Sequence, residues 1–415
     1  MSRDVRHPAA TEDRIGIVRR LLVAVAAASA CLLACGPAVA VAPAHLDQAA
    51  AGPEPLLSRI FEQIEQNHLD VALEQADALI KAYPKFRLTY LIKGDLLLAR
   101  AGPISTFGNV ANVPAGKLAE LRDEAIVRLK GYLDKPRANT VPRYLLQMPS
   151  DQKYAIVVDT KRSRLYLYQN DKGTPRFVAD YYITQGKLGA DKRREGDMRT
   201  PIGVYHVTGS LSPKTLSGIY GSGAFPLSYP NEWDKRHGRS GHGIWLHGTP
   251  SDTYSRPPRD SDGCVVLANQ DLDTISKDLQ VGLTPVIISD SIEWLSLDDW
   301  HAERAAFEKD FAQWRTDWES LDVNRYLSHY AKNFSADGEN LAQWSAKKRL
   351  IERGKTWIKV TTKNLSMFRN PGKEPMVVVT FDQIYRSNNL SNVMKKRQYW
   401  LKEDGHWKIA YEGPA

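Results

Sequence analysis

The hydrophobic period of this chain changes twice, and each change marks a different kind of fold. Between Leu56 and Leu133 apolar residues recur at helical spacing: Leu56, Ile60, Phe61 and Ile64, then Val71, Leu73, Ala76, Leu79 and Ile80, then Leu88 to Ala99 and Leu118 to Leu133. Residues three and four apart share one helix face, so the spacing predicts four amphipathic helices, the second ending at Tyr83-Pro84. From Lys153 the pattern alternates: Tyr154, Ile156 and Val158, then Leu165 and Leu167, then Phe177, Tyr181 and Ile183. Period two is a strand signal, and Asp159 to Ser163 is the turn between the first two strands. Further strands fall at Gly243 to Leu246 and Thr284 to Ser289, with a short helix from Asn269 to Leu279. Past Trp300 the helical stripe returns in Phe307, Phe311, Trp314 and Trp318 and continues through Tyr326 to Phe334. Alternation then resumes in Val377 to Phe381, Arg397 to Leu401 and His406 to Ala410, the last two joined by a Glu403-Asp404-Gly405 turn. A 415-residue chain built this way is multidomain α+β. Its parts are a helical region at 56–145, a mainly β domain at 153–290 and an α+β domain at 300–415. The second and third helices, joined near Pro84, form a tetratricopeptide-like hairpin without a second copy at the same period.

Ahead of the helices stands an export signal over residues 1–40. Arg14, Arg19 and Arg20 precede an apolar run from Leu21 to Ala34 that is too short to span a bilayer, and small residues follow. Two processing sites compete. Ala38-Val39-Ala40 suits ordinary cleavage, whereas Leu32-Leu33-Ala34-Cys35 is lipobox-like and would leave Cys35 as a lipid anchor. No later segment approaches the ~20 apolar residues of a membrane helix, so that anchor is the single route to the membrane. After an Ala-, Pro- and Gly-rich linker at 41–55, the chain belongs in the periplasm or envelope of a Gram-negative bacterium. Export removes nucleic acid as a partner for the +8 net charge and leaves anionic envelope material. The helical region offers a docking surface for other envelope proteins or for a second copy as a homodimer.

Cys264 is the residue with chemistry to explain. Of three cysteines, Cys31 and Cys35 lie in the export signal, so the exported chain holds one internal thiol without an internal disulfide partner. It sits in Ser261-Asp262-Gly263-Cys264-Val265-Val266 and follows His247-Gly248-Thr249 across a turn-rich loop. A thiol of pKa near ~8.5 is mostly protonated at neutral pH and needs a base to become a nucleophile. His247 is the candidate base. A glycine before the nucleophile lets main-chain amides approach a developing oxyanion, which nominates the Gly263 and Cys264 amides. His242, five residues earlier, falls on the opposite strand face.

These motifs, with Gly196-Asp197-Met198-Arg199-Thr200-Pro201-Ile202-Gly203-Val204-Tyr205 before them, resemble the YkuD-type L,D-transpeptidase catalytic domain. The resemblance covers about a third of the chain. It is similar to the proteobacterial branch carrying Phe225-Pro226-Leu227-Ser228-Tyr229-Pro230-Asn231 before the histidine, a branch that includes cell-shape L,D-carboxypeptidases and an enzyme that detaches Braun-type lipoprotein. The resemblance implies that the Gly248 carbonyl steadies His247, and that Cys264 attacks the L-centre carbonyl of the third stem-peptide residue of peptidoglycan, expelling D-alanine. An amine acceptor makes the enzyme a transpeptidase. Water as acceptor makes it an L,D-carboxypeptidase, and release of wall-bound lipoprotein is a further outcome; a wall-binding scaffold is the non-enzymatic alternative. Ser261, Tyr229, Asn231 and Thr249 are the candidate substrate-binding residues, and the chemistry calls for no cofactor or metal. Many cross-linking members carry histidine before the Gly-Cys pair and arginine two residues after the cysteine, where this chain has Asp262 and Val266. The segment Pro250 to Arg259 is the candidate lid. The last domain resembles an NTF2-like (SnoaL-like) cone, with Trp344, Trp357 and Trp400 as candidate ligand aromatics.

Overall fold

The computed structural model describes residues 52–104, 106–109, 114–336 and 338–415. The export signal and the candidate anchor Cys35 lie outside them. Four helices come first: α1 (Glu54–Glu65), α2 (Leu69–Ala82), α3 (Arg87–Ala101) and α4 (Ala115–Leu133). Their apolar stripes meet in one core made of Leu57, Ile60, Phe61, Ala72, Ala76, Leu79, Leu88, Ile92, Ala125 and Leu129. The hairpin of α2 and α3 therefore shares its core with both flanking helices. No helix among the described residues is long and apolar enough to cross a membrane.

Two short strands lead out of the helices, β1 (Thr140–Pro142) and β2 (Leu145–Gln147). The catalytic-type domain then builds β3 (Tyr154–Asp159), β4 (Arg164–Asp171), β5 (Thr174–Tyr182), β6 (Gln185–Gly186), β7 (Gly203–His206), β8 (Ala224–Pro226), helix α5 (Glu232–Arg236), β9 (Trp245–His247), β10 (Arg259–Ser261), β11 (Val265–Val266), helix α6 (Asn269–Ser276) and β12 (Pro285–Ser289). A five-stranded sheet runs in the order β5-β4-β3-β12-β7, and a three-stranded sheet in the order β11-β9-β8. The apolar positions of the alternation, Ile156, Val158, Leu165, Leu167, Val286 and Ile288, fill the core between the sheets with Leu246 and Val265.

The third region opens with β13 (Trp294–Ser296) and the long helix α7 (Leu297–Glu319), capped by Ser296 Oγ, which accepts from the Asp299 amide at 3.1 Å. It continues through α8 (Val323–Leu327), β14 (Tyr330–Ala336), β15 (Glu339–Asn340), α9 (Leu341–Glu352), β16 (Ile358–Arg369), β17 (Met376–Ser387), β18 (Ser391–Glu403) and β19 (His406–Pro414). Phe307, Phe311, Trp314 and Trp318 on α7 bury against Phe381 and Trp400 of the sheet. Asp404 and Gly405 take φ of 51° and 83° in the β18–β19 turn, where the left-handed conformation closes a tight hairpin.

Two expectations need correction here. Tyr326, Tyr330 and Phe334 are spaced like a helical stripe, yet α8 stops at Leu327 and Tyr330–Ala336 is a strand paired with β19. Four-residue spacing also fits a strand, because four is a multiple of two. Of the three cone aromatics, Trp400 is fully buried in the core and Trp344 nearly so, while Trp357 is exposed.

The connection between the last two regions lies outside what local pattern can reveal. β1 pairs with β13, and β2 adds a seventh strand to the last domain's sheet, in the order β15-β14-β19-β18-β17-β16-β2. Trp300 Nε1 of α7 donates to the Leu145 carbonyl at 2.8 Å. Tyr144, Leu145 and Met148 bury with Ala155, Val157 and Ile287 from one domain and Phe368 from the other. The residues before the catalytic-type domain thus weld it to the last one.

Candidate active site

The site is assembled on the three-stranded sheet. β11 runs parallel to β9 with Val266 opposite His247. Cys264 directly precedes β11, so the pairing brings the thiol segment alongside the strand that ends in His247. The Leu267 amide donates to the His247 carbonyl at 2.9 Å, which locks the two segments in register beyond the thiol.

His247 is buried, and its Nδ1 lies 2.7 Å from the Gly248 carbonyl. A carbonyl only accepts, so Nδ1 carries the proton and Nε2 is left with its lone pair. Burial, partly offset by that bond, lowers the imidazole to about 4, with the Arg256 charge acting in the same direction as burial. The ring is therefore neutral at neutral pH. Tyr220 stands edge-on to it at 5.1 Å between ring centres and also contacts Trp245 at 4.9 Å.

Cys264 keeps part of its surface open and its Sγ donates to the Gly243 carbonyl at 3.3 Å. Desolvation of the sulfur pushes the thiol up to about 11; the Trp245 amide lowers it, the Asp262 charge raises it, and Arg256 and Lys192 lower it. Both shifts favour the uncharged forms, thiol and imidazole. Asp262 is exposed and pairs with Lys187 at 3.2 Å, so its carboxylate is directed outward. Val266 is buried.

The glycines are spatial requirements. A Cβ on Gly248 would fall 2.1 Å from Asn269 Oδ1, and one on Gly263, whose φ is 131°, would fall 2.6 Å from the Arg199 carbonyl. That carbonyl belongs to the loop carrying Asp197, whose carboxylate accepts from Lys192 Nζ at 2.8 Å and from the Arg193, Arg194 and Arg199 amides. Burial works against the charged form, but these donors hold Asp197 at about 2. The motif around Asp197 is the bed on which the Cys264 turn rests.

Four of the residues read as substrate contacts spend their polar groups inside the fold. Ser261 Oγ donates to the Cys264 carbonyl at 2.6 Å and accepts from the Gly263 amide at 3.2 Å. Tyr229 Oη donates to the Ser240 carbonyl at 2.9 Å. Asn231 caps α5, accepting from the Asp234 amide at 2.9 Å and donating to the Val204 carbonyl at 3.1 Å. Thr249 Oγ1 donates to the Thr253 carbonyl at 3.2 Å. The Gly263 amide is likewise engaged with Ser261, which leaves the Cys264 amide as the remaining donor of the nominated pair. His242 is exposed beside Glu195 and lies ahead of β9, between glycines at φ of 99° and 70°, so the strand alternation expected of it does not apply.

Three residues were missed. Asn269 accepts from the Ser222 amide at 3.0 Å and the Thr249 amide at 3.1 Å, and donates to the Thr249 carbonyl at 2.9 Å, tying the loops around His247 together. Tyr220 covers the imidazole, and Arg256 places a cation whose field reaches both Cys264 and His247. Their only signals in the sequence were proximity to the cysteine motif for Asn269 and the loop for Arg256; nothing pointed to Tyr220.

Residues 153–288 match the family model of the L,D-transpeptidase catalytic domain, YkuD. The chain carries a YkuD domain. Residues 306–413 match the Cds6 C-terminal NTF2-like domain, so the cone follows the catalytic domain in one chain. Among solved structures, Bd1075 of Bdellovibrio bacteriovorus is similar over 66% of this chain and 98% of its own, at 28% identity and a TM-score of 0.59. Pgp2 of Campylobacter jejuni, described as a helical cell shape determining protein, is similar over 66% of this chain and 95% of its own, at 26% identity and a TM-score of 0.56. No curated protein matches. The YkuD match covers about a third of the chain and supports an L,D-transpeptidase-family peptidoglycan enzyme.

Proposed function

We propose that this chain is an envelope cysteine enzyme that cuts peptidoglycan tetrapeptide stems to tripeptides, with water as the acyl acceptor. The observation that carries the reading is His247, held through Nδ1 by the Gly248 carbonyl with Nε2 left for the thiol proton, on the strand paired with the residues directly after Cys264. Nε2 takes the thiol proton as Sγ attacks the L-centre carbonyl of the third residue. The Cys264 amide steadies the oxyanion, a donor whose loss typically costs about 10²–10³ in rate. Collapse breaks the bond to D-alanine, whose nitrogen takes the proton from His247. Water then gives a proton to Nε2 and attacks the thioester, releasing the tripeptide carboxylate and restoring the thiol.

Two observations support water over an amine. Val266 stands where many cross-linking members have arginine, so that position offers no cation for a carboxylate-bearing acceptor. Pgp2, similar over 66% of this chain, is described as determining helical cell shape. The test is incubation of the mature chain with disaccharide tetrapeptide, with Cys264→Ala as control, read by mass spectrometry. Tripeptide and free D-alanine are expected. Dimers joined between two third residues would transfer the assignment to a transpeptidase, and the absence of any cysteine-dependent change would overturn it in favour of a wall-binding scaffold.

A further inference from the structure

The segment expected to be a lid is bolted to the helical region. It is the stretch of chain that connects the His247-Gly248 corner to the Cys264 turn, and its contacts lie largely outside its own domain. The Tyr254 amide donates to the Lys85 carbonyl at 3.1 Å, and Lys85 Nζ donates to the Ser251 carbonyl at 2.6 Å. The Tyr254 ring sits in the helical core, 5.1 Å from Tyr83 and 5.4 Å from Phe86. Ser255 Oγ donates to Glu124 Oε1 at 2.6 Å. Glu124 is itself held by Arg128 at 2.9 Å, and Arg128 bonds Glu54 at 2.6 Å, all three nearly excluded from solvent. Buried ions persist only when each has its partner, so this group has one geometry to adopt.

The other face of the loop leads to the reacting pair. The Thr253 and Tyr254 carbonyls accept from Thr249 Oγ1, and Thr249 is gripped on both backbone groups by Asn269. Thr249 follows Gly248, whose carbonyl orients His247. One residue past Ser255, the Arg256 carbonyl accepts from Tyr182 Oη and Thr184 Oγ1, both at 2.9 Å, and its guanidinium bonds Asp260 at 3.0 Å.

We propose that the N-terminal helices are part of the catalytic apparatus, with Lys85, Glu124 and Ser255 as positioning residues that hold the 249–256 loop, and through it the Gly248 carbonyl, in the working geometry. This rests on the reading of Cys264 and His247 as the reacting pair. Displacing a catalytic group by even 1 Å can cost about 10²-fold, so a slack loop lowers turnover without removing a reacting atom.

The experiment uses the mature chain with Lys85→Met and Ser255→Ala, singly and combined, and Ser255→Thr to restore the hydroxyl. Three quantities are read: amide exchange of residues 249–256, the pH profile of Cys264 alkylation by iodoacetamide, and kcat and KM on disaccharide tetrapeptide. The combined variant should quicken exchange in the loop, slow alkylation and lower kcat by about tenfold or more with KM within about twofold, and Ser255→Thr should recover most of the loss relative to Ser255→Ala. Unchanged loop exchange, or faster exchange with kcat and the alkylation profile unaltered, overturns the proposal and reduces the helices to a packing partner. Alkylation needs no substrate. A wild-type chain that turns over no peptide would sink the peptidoglycan reading, while the alkylation profile still decides the clamp.

Discussion

Gly248→Ala should destabilise the histidine loop without altering the histidine. The added methyl would lie 2.1 Å from Asn269 Oδ1, 3.0 Å from the Ser222 nitrogen and 3.2 Å from the Tyr220 carbonyl. The first contact is far inside any tolerable separation, and the Asn269 side chain is the part that can move. Swinging it out abandons the Ser222 and Thr249 amides and the Thr249 carbonyl. Each buried group left unpaired costs about 1–3 kcal/mol, and residual overpacking adds about 1–3 kcal/mol. For three such groups the sum is about 4–12 kcal/mol, comparable with the ~5–15 kcal/mol that holds a typical domain together. Asn269→Ala loses the same bonds without the clash and should cost about 3–9 kcal/mol. The decisive comparison is with the double variant, because removing the Asn269 side chain also removes the nearest atom the methyl strikes. Its stability should lie within about 1 kcal/mol of Asn269→Ala alone, giving a coupling energy about as large as the whole Gly248→Ala loss in urea unfolding at constant m-value. Two additive losses would refute the claim that this glycine exists to make room for Asn269.

Stability should fall on acidification for a specific reason. His247 is held at about 4 by burial, below the ~6.5 of an unfolded chain, so protons favour the unfolded state. Its contribution, up to about 3 kcal/mol, is complete above pH ~6.5 and lost as pH drops toward 4; His247→Gln should flatten that slope in urea midpoints. His206, also lowered to about 4 by burial and then by the Arg397 and Lys395 charges, adds a slope of the same sign. Alkylation of Cys264 should climb through pH 9 toward about 11, whereas a plateau spanning neutral pH would reveal a thiolate–imidazolium pair and contradict the uncharged forms described above. Asp197→Asn strips the buried Lys192 of its carboxylate and should cost about 3–5 kcal/mol by thermal or urea unfolding; a loss under about 1 kcal/mol would show that the loop beneath Cys264 does not depend on it. A fragment ending at Asp290 loses the partners of β1 and β2 and uncovers Leu145 and Leu146, so it should aggregate in size-exclusion chromatography. A monodisperse, folded fragment would show the domains to be independent.

Much of this protein was written locally. The helices between Leu56 and Leu133, the alternation from Tyr154 and the aromatic stripe on α7 follow from which residues can bury one face, a property of spacing alone. The Cys264 and His247 motifs were legible because a nucleophile, its base and a close backbone approach demand particular residue types side by side in sequence. Side-chain direction within a motif was less accessible. Tyr229, Asn231, Ser261 and Thr249 are candidate substrate contacts by motif, and each also finds a main-chain partner within the fold, which only the three-dimensional path of the chain reveals.

What tertiary structure alone decided is how distant parts complete one another. The sequence determined three regions, most of their secondary structure and a thiol with a candidate base. It could not determine that β2 joins the sheet of the last domain, that Asn269 unites the loops around His247, or that the expected lid is anchored by Lys85 and Glu124. Those contacts join residues separated by scores of positions, and their stability comes from burying polar and charged groups against partners that no local pattern names.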